Sequence, residues 1–251
     1  MKQIYRYLLL VLICLFLAAC GGSKVKPQTS AEKYFQEGER YFESNLYEDA
    51  ISSWEKVRDV FYSPELSMLA ELKIAEAYYI SKRYEEAAIA FDDFLKQHPS
   101  DFRAATILYR MGLSHYQQIL SPDRDQTSTR NALHSFRELI RRFPGDPQAQ
   151  EAGYLIQRCR TRLAEHEVYV GKFYLKRNQY KQAINRFEGI LESFPDYYYR
   201  DEAYFYLGKA YFKELQPDQA KSIFNQLFDE FPGSDYVEDA QKIIAKEKKN
   251  Q

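Results

Sequence analysis

The chain has 251 residues and a formal net charge of −1, and 45% of its residues are hydrophobic. Basic residues do not outnumber acidic ones, which argues against nucleic acid as a partner because no excess charge is available to neutralise phosphates. Glycine and proline are scarce, at 10 and 9 residues, whereas tyrosine and phenylalanine reach 22 and 17. This composition favours a helical protein held together by aromatic side chains.

The first 20 residues follow the pattern of a bacterial lipoprotein signal peptide. Lys2 and Arg6 precede an apolar run from Leu8 to Leu17, and small residues then lead to Cys20. The apolar run is too short to cross a bilayer as a permanent helix. We therefore predict that residues 1–19 are removed and that Cys20 is lipidated. An ordinary secretory signal and an N-terminal anchor helix are the alternatives.

Gly21 occupies the position after the lipidated cysteine, where inner-membrane lipoproteins usually carry aspartate. Its identity predicts sorting to the cell outer membrane, with the protein lipid-anchored on the periplasmic face. We expect residues 20–30 to form the lipidated N-terminus and a flexible tether, since Val25 is their one large apolar residue. Each methylene of an acyl chain that is buried in the membrane contributes about 0.8 kcal/mol to membrane binding, so the anchor needs no transmembrane helix.

A short pattern of alanine, an aromatic residue four positions later and a proline eight positions further on returns along the chain. Four copies are regular, and a fifth has its proline two residues late: Ala87, Phe91, Pro99; Ala132, Phe136, Pro144; Ala183, Phe187, Pro195; Ala220, Phe224, Pro232; and Ala50, Trp54, Pro64. A small residue precedes each alanine, by 12 positions in four copies and by 20 positions before Ala132. These small residues are Gly38, Ala75, Gly112, Gly171 and Gly208. The third copy therefore carries an eight-residue insertion.

This spacing places the alanine and the aromatic ring on one helix face, and the small residue lets the partner helix approach closely. Proline then disfavours helical geometry in the residue before it. The sequence therefore predicts an all-α, right-handed superhelical solenoid of five tetratricopeptide helix-turn-helix repeats, the alternative being a generic helical bundle. We place this solenoid at 31–251, with repeats at about 31–64, 68–99, 105–144, 148–195 and 200–232 and a C-terminal capping helix.

The stretch from Gln148 to Asn178 has apolar residues at helical spacing and no proline. It predicts one unusually long helix that opens the fourth repeat. We expect this helix to project beyond the solenoid and to offer a docking face.

The chain also resembles the BamD family of outer-membrane β-barrel assembly lipoproteins. The resemblance covers essentially the whole chain, through the lipobox, the five repeats, the insertion in the third and the long helix in the fourth. Its most specific stretches are Asp123-Arg124-Asp125 with Arg130, Ala132, Phe136 and Phe143-Pro144; Arg162-Leu163-Ala164 with Glu167 and Tyr169; and Asn185-Arg186-Phe187-Glu188-Gly189 with Pro195-Asp196.

The resemblance implies a non-enzymatic adaptor whose C-terminal repeats bind the periplasmic domains of a BamA-like barrel protein. It also implies that N-terminal repeats engage unfolded outer-membrane proteins, with other assembly lipoproteins as further partners. Arg186, with Asn185 and Glu188, is the candidate BamA-binding site, because a planar guanidinium suits a carboxylate across an interface. The alternative for Arg186 is a solvated side chain on the convex face.

The first helices of the N-terminal repeats suggest a groove for substrate. An unfolded barrel strand carries alternating aromatic residues, which rings and acids could receive. The positions that we expect to be exposed there are Phe35, Phe42, Leu72, Glu76, Tyr79, Tyr109 and Tyr116. Packing between repeats is the alternative for each.

No catalytic motif, cofactor or metal is predicted. The four histidines lack metal-ligand spacing, His115 stands at a packing position, and Cys159 reads as a buried inert thiol. Asp123-Arg124-Asp125 reads as a self-satisfied turn. A tetratricopeptide envelope lipoprotein that scaffolds peptidoglycan or cell-division machinery is one alternative function. A chaperone-like lipoprotein acting alone, or an enzyme regulator, is the other.

Overall fold

The computed structural model describes residues 30–60 and 63–250, and within these ranges it contains helices and no strand. The helices are α1 (Ser30–Glu43), α2 (Tyr47–Val60), α3 (Pro64–Ile80), α4 (Tyr84–Gln97), α5 (Ala104–Tyr116), α6 (Thr127–Arg142), α7 (Pro147–Lys176), α8 (Tyr180–Ser193), α9 (Arg200–Lys213), α10 (Pro217–Glu230) and α11 (Tyr236–Asn250). The all-α tetratricopeptide class predicted from the sequence is confirmed. The predicted signal peptide, Cys20 and Gly21 lie outside the described residues.

A glycine packed against an aromatic ring joins the two helices of a hairpin. A Cβ atom placed on Gly38 would lie 2.5 Å from Nε1 of Trp54, and one on Gly208 would lie 2.5 Å from Cε1 of Phe224. Gly112 faces Phe136 and Gly171 faces Phe187 in the same way. Real Cβ atoms do not approach that closely. At these four positions, glycine therefore lets the ring fill the interface between the two helices of the hairpin, which we call the seam, at the packing density of a protein interior.

The tight turns inside four hairpins share one backbone conformation. Asn45, Lys82, Asn178 and Leu215 have φ between 58° and 64°, and each stands seven residues after the small residue of its repeat. This left-handed conformation reverses the chain in two or three residues, and asparagine tolerates it better than other side chains do. Leu215 adopts it with 88% of its side chain exposed.

The chain divides into two compact units between Ser67 and Met68. In the first unit, α1 packs along α2 around Trp54, whose side chain is fully buried. The Trp54 Nε1 group donates a hydrogen bond to the carbonyl oxygen of Phe35 at 3.2 Å, so its one polar atom is satisfied.

Among the described residues of the second unit, buried side chains form successive clusters in chain order. Phe91 and Phe136 belong to the first cluster, Phe187 to the second and Phe224 to the third. Each ring is fully buried between its own hairpin and the next helix. Burying one such side chain contributes roughly 1.5–3 kcal/mol, so each interface between repeats is substantial.

The long helix predicted in the fourth repeat is confirmed as α7, which has 30 residues. It begins at Pro147, where the Asp146 side chain accepts a hydrogen bond from the Gln148 amide at 2.8 Å. The prediction that this helix projects beyond its neighbours is wrong. Its first half, through Cys159, is buried against α6, and its second half, from Ala164, is buried against α8. Its length therefore lets it pack against two successive hairpins.

The insertion of the third repeat forms the loop at 117–126, between α5 and α6. Gln126 is 1% exposed; its amide nitrogen donates to the carbonyls of Ser121 and Arg124, and its amide oxygen accepts from Thr129 Oγ1 at 2.8 Å. His166 on α7 lies 2.6 Å from the Pro122 carbonyl oxygen. The insertion is therefore an ordered loop, closed by one buried glutamine.

The C-terminal helix α11 packs on α9 and α10, where Ala240 is fully buried. The predicted capping helix is thus present. Across residues 30–60 and 63–250, no helix combines the length and hydropathy needed to cross a membrane.

Candidate partner-binding surfaces

Arg186 lies on the exposed side of α8, next to the buried ring of Phe187. Its Nη1 donates to Glu167 Oε2 on α7 at 2.9 Å, while 44% of the arginine side chain stays accessible to solvent. The bond to Glu167 holds the pKa of Arg186 above its usual value. A guanidinium has five N–H donors, so most of them remain available to a partner carboxylate.

A shallow groove of 520 Å³ surrounds this ion pair. Glu167 and Tyr174 form one side, and Asn185, Arg186 and Gly189 form the other. Asn185 is exposed, so its amide can donate and accept beside the guanidinium. The groove therefore presents one fixed cation with polar neighbours, a geometry suited to an anchoring carboxylate.

Glu188 faces away from this groove. Its carboxylate is half-buried and accepts a hydrogen bond from the hydroxyl of Tyr211 on α9. Burial, together with that bond, raises the pKa of Tyr211 to about 12. In the free protein, Glu188 therefore ties one repeat to the next.

Two of the predicted substrate residues, Phe35 and Phe42, belong to the first unit. Both are half-buried and flank Trp54, with ring centroids 6.5 Å and 5.8 Å from it. Phe42 also meets Tyr47 edge to face at 5.5 Å. They retain exposed edges while completing the core of their hairpin.

The other five predicted substrate residues belong to the second unit. Leu72, Glu76, Tyr79 and Tyr116 are half-buried. The expected exposure of Tyr109 is wrong, because 7% of this residue is accessible and its ring lies 6.1 Å from that of Phe136. Burial and a hydrogen bond to Glu151 raise the pKa of Tyr109, so its hydroxyl stays protonated.

Tyr79 is a half-buried ring of this group that lies between a cation and a second ring. The guanidinium of Arg110 on α5 lies 5.2 Å from its centroid, and Tyr84 meets it edge to face at 5.6 Å. A ring held between a cation and a second ring is oriented in advance for stacking.

His98, His115 and Cys159 lie in at least partly buried environments among other side chains. His98 Nε2 lies 3.0 Å from a carboxylate oxygen of Glu71, and burial lowers the pKa of His115. Cys159 is fully buried, which confirms the predicted burial of this thiol, and burial raises its pKa to about 12. Within the described ranges, no three His, Cys, Asp or Glu side chains converge as metal ligands do.

The sequence reasoning missed that Glu167 is the partner of Arg186. A signal for it existed in the seam, because Gly171 lies against Phe187. Glu167 stands one helical turn before Gly171 on the same face of α7, and Arg186 directly precedes Phe187 on α8. Both long side chains therefore start beside the same contact between the helices, and they meet there at 2.9 Å.

Helical hairpins that repeat along the described residues, four of them closed by a glycine against an aromatic ring, define a helical-repeat protein. The family model of YfiO, described as an outer membrane lipoprotein, matches residues 27–222. The chain belongs to this family, and the resemblance noted from the sequence is confirmed.

Relatives agree with this assignment. The chain is 27% identical over 206 residues to the outer membrane protein assembly factor BamD of Pasteurella multocida, covering 78% of this chain and 79% of that protein. It is 29% identical over 196 residues to BamD of Rickettsia prowazekii, covering 77% and 78%. Among solved structures, it is similar to the TPR2AB domain of yeast Sti1 with a TM-score of 0.41 and 15% identity, covering 85% of this chain and 84% of that one.

Proposed function

We propose that this protein is a non-enzymatic adaptor in the assembly of outer-membrane proteins. The observation that carries the proposal is the family match over residues 27–222. The relatives that this chain matches over about four fifths of their length are named as outer membrane protein assembly factors. Cys20, followed by Gly21, would anchor it by lipid to the periplasmic face of the outer membrane.

The surface around Arg186 is the proposed binding site for the periplasmic domains of a BamA-type barrel protein. Support comes from the accessible guanidinium, held in position by Glu167 at 2.9 Å, and from the exposed amide of Asn185 beside it. A partner carboxylate could engage the free edge of the guanidinium through two parallel hydrogen bonds. Glu188 would contribute indirectly, by holding α8 to α9.

Engagement of unfolded outer-membrane proteins is proposed for the N-terminal repeats. The exposed ring edges of Phe35 and Phe42 support it in the first unit, and Leu72, Glu76, Tyr79 and Tyr116 support it in the second. Rings beside a carboxylate suit a segment with aromatic side chains and free backbone amides. Tyr109 would support Phe136 from within the core instead of contacting substrate.

Affinity purification of the tagged full-length protein from its native envelope in mild detergent tests the proposal. We expect a large barrel protein with periplasmic domains among the main partners. Arg186→Ala should reduce its recovery at least tenfold, because losing a charge in a desolvated interface costs about 2–5 kcal/mol.

Two matched variants make the result specific. Glu167→Gln removes the same ion pair but leaves the arginine, so the barrel should still be recovered; Arg137→Ala removes another exposed arginine and should change nothing. If Arg186→Ala and the unchanged protein recovered equal amounts of the barrel protein, the assignment of Arg186 to the interface would be refuted. Peptidoglycan or division enzymes in place of a barrel would favour the envelope-scaffold alternative.

A further inference from the structure

A rectangle of four lysines lies where α7 meets α9. Lys172 and Lys176 stand one turn apart on α7, and Lys209 and Lys213 stand one turn apart on α9. Each lysine on α9 is 37 positions after its counterpart on α7, the same offset that separates Gly171 from Gly208. The repeat geometry therefore brings the two pairs side by side, and all four side chains line one cavity of 250 Å³.

The charge of this rectangle is mostly uncompensated. Lys172 Nζ donates to Glu202 at 2.8 Å, whereas Lys176, Lys209 and Lys213 have no carboxylate partner among the described residues. Of the residues that the structure describes, no acidic one lines the cavity. Like charges one helical turn apart repel each other, and an anionic ligand between them would relieve that repulsion.

Apolar and aromatic groups lie beside the lysines. Leu175, Tyr180 and Tyr206 complete the wall of the cavity. On the same face of α7, Tyr169 and Phe173 precede Lys176 at helical spacing and are 48% and 45% exposed. The surface thus combines cations with exposed rings along one helix.

We propose that this lysine rectangle binds an extended segment of a partner protein in which acidic side chains alternate with aromatic or large apolar ones. Carboxylates would enter the cavity between the lysines, and apolar side chains would cover Tyr169 and Phe173. The cavity volume fits one or two carboxylate side chains, and the adjoining row of rings matches a peptide with apolar residues better than it matches a fully polar anion.

The lysine rectangle is separate from the proposed BamA-type contact. It lies on α7 and α9, whereas Arg186 lies on α8, and the variants used for each are different. Loss of one interaction without the other would separate the two sites.

Binding of a fluorescent 12-residue peptide of alternating glutamate and phenylalanine tests the proposal. The full-length protein in nonionic detergent micelles should bind it with an affinity that falls at least tenfold in Lys209→Gln/Lys213→Gln, and rising NaCl should weaken the binding. A peptide with glutamine in place of glutamate should bind at least tenfold more weakly. The control Lys96→Gln/Lys221→Gln removes the same charge from lysines that pair with Asp92 and Asp218, and should leave affinity unchanged.

Equal losses in both double variants, or equal binding of the glutamine peptide, would overturn the proposal. Phosphatidylglycerol vesicles that bind through the same lysines when the peptide does not would overturn it in favour of a lipid surface. Lysine acetylation footprinting of the unmodified protein gives a second measurement that requires no variant. Peptide should protect Lys176, Lys209 and Lys213 and leave Lys96 as reactive as before; uniform protection would contradict a defined site.

Discussion

Helices α1 and α9 share a buried design and differ in what they expose. Both carry two Tyr-Phe pairs around a central glycine at matched positions: Tyr34-Phe35, Gly38 and Tyr41-Phe42 in α1, and Tyr204-Phe205, Gly208 and Tyr211-Phe212 in α9. The positions just after the glycine and four residues later are Glu39 and Glu43 in α1 but Lys209 and Lys213 in α9. The seam that builds a hairpin is therefore repeated, while the charge beside it is reversed; Glu43 and Lys213 are exposed, and Glu39 and Lys209 are half-buried.

This difference separates two kinds of information in a repeat protein. Seam positions are constrained by ring volume and backbone approach, so they recur with the period of the repeat. Exposed positions carry no packing constraint and can specialise in each repeat. The exposed faces of the first and last hairpins should therefore select partners of opposite charge.

The largest expected effect comes from deleting the rings that fill the two seams. Trp54→Ala in the first hairpin and Phe224→Ala in the last should each lower the free energy of unfolding by about 3–5 kcal/mol, because each ring is fully buried. Urea titration followed by circular dichroism measures both. If either variant lowered the free energy of unfolding by less than about 1 kcal/mol, the two rings would not stabilise their hairpins equally.

Adding a methyl group to the seam glycines should have a smaller effect of the same sign. Gly38→Ala and Gly208→Ala place a Cβ 2.5 Å from ring atoms, and overpacking of about 1–3 kcal/mol should exceed the helix-propensity gain of up to about 1 kcal/mol. Gly153→Ala on α7 is the matched control, since a Cβ added there would have no atom of the described residues within 4 Å beyond its own helix backbone. It should stabilise by about 0.5–1 kcal/mol, and destabilisation there would show that the seam does not explain the other two.

The turns of the two hairpins allow a reciprocal exchange. Asn45 and Leu215 both have φ near 60°, a conformation that costs an ordinary L-residue about 1–2 kcal/mol and asparagine less. Leu215→Asn should therefore stabilise the protein by up to about 1 kcal/mol, and Asn45→Leu should destabilise it by a similar amount. Thermal denaturation tests both variants, and shifts of the same sign would contradict the assignment.

Reversing the charge of the α9 face should change stability least. Lys209→Glu/Lys213→Glu gives α9 the charges of α1, and the free energy of unfolding should stay within about 0.5 kcal/mol because neither lysine has a carboxylate partner among the described residues. Binding of the acidic peptide should nevertheless disappear. A large drop in melting temperature would instead assign these lysines to the fold.

Much of the fold follows from the sequence because seam positions repeat. The spacing of Gly208 and Phe224 predicts their contact, and the absence of proline between Gln148 and Lys176 predicts α7. Whether α7 projects could not be predicted, because its length alone does not show that two successive hairpins bury it.

Less of the candidate surface could be predicted. Tyr109 stands on a first helix among positions expected to line the groove, yet it is buried because its ring packs near Phe136 and α7 lies against α5, where Glu151 bonds to the Tyr109 hydroxyl. The Arg186–Glu167 pair joins residues 19 positions apart on two helices. Predicting it requires the relative placement of α7 and α8, which the spacing of the residues along the chain does not give. Exposed charges such as these two recur in some repeats and not in others, so a search for the repeat pattern alone does not find the pair.

The most direct test of the assembly role is site-specific photo-crosslinking from position 185 in living cells. A photoreactive residue in place of Asn185 lies beside Arg186 at the proposed interface, and one in place of the exposed Asp218 on α10 serves as the control. We predict an adduct between position 185 and one large outer-membrane barrel protein, and no such adduct from position 218. No adduct at 185, or the same adduct from both positions, would contradict the proposed surface.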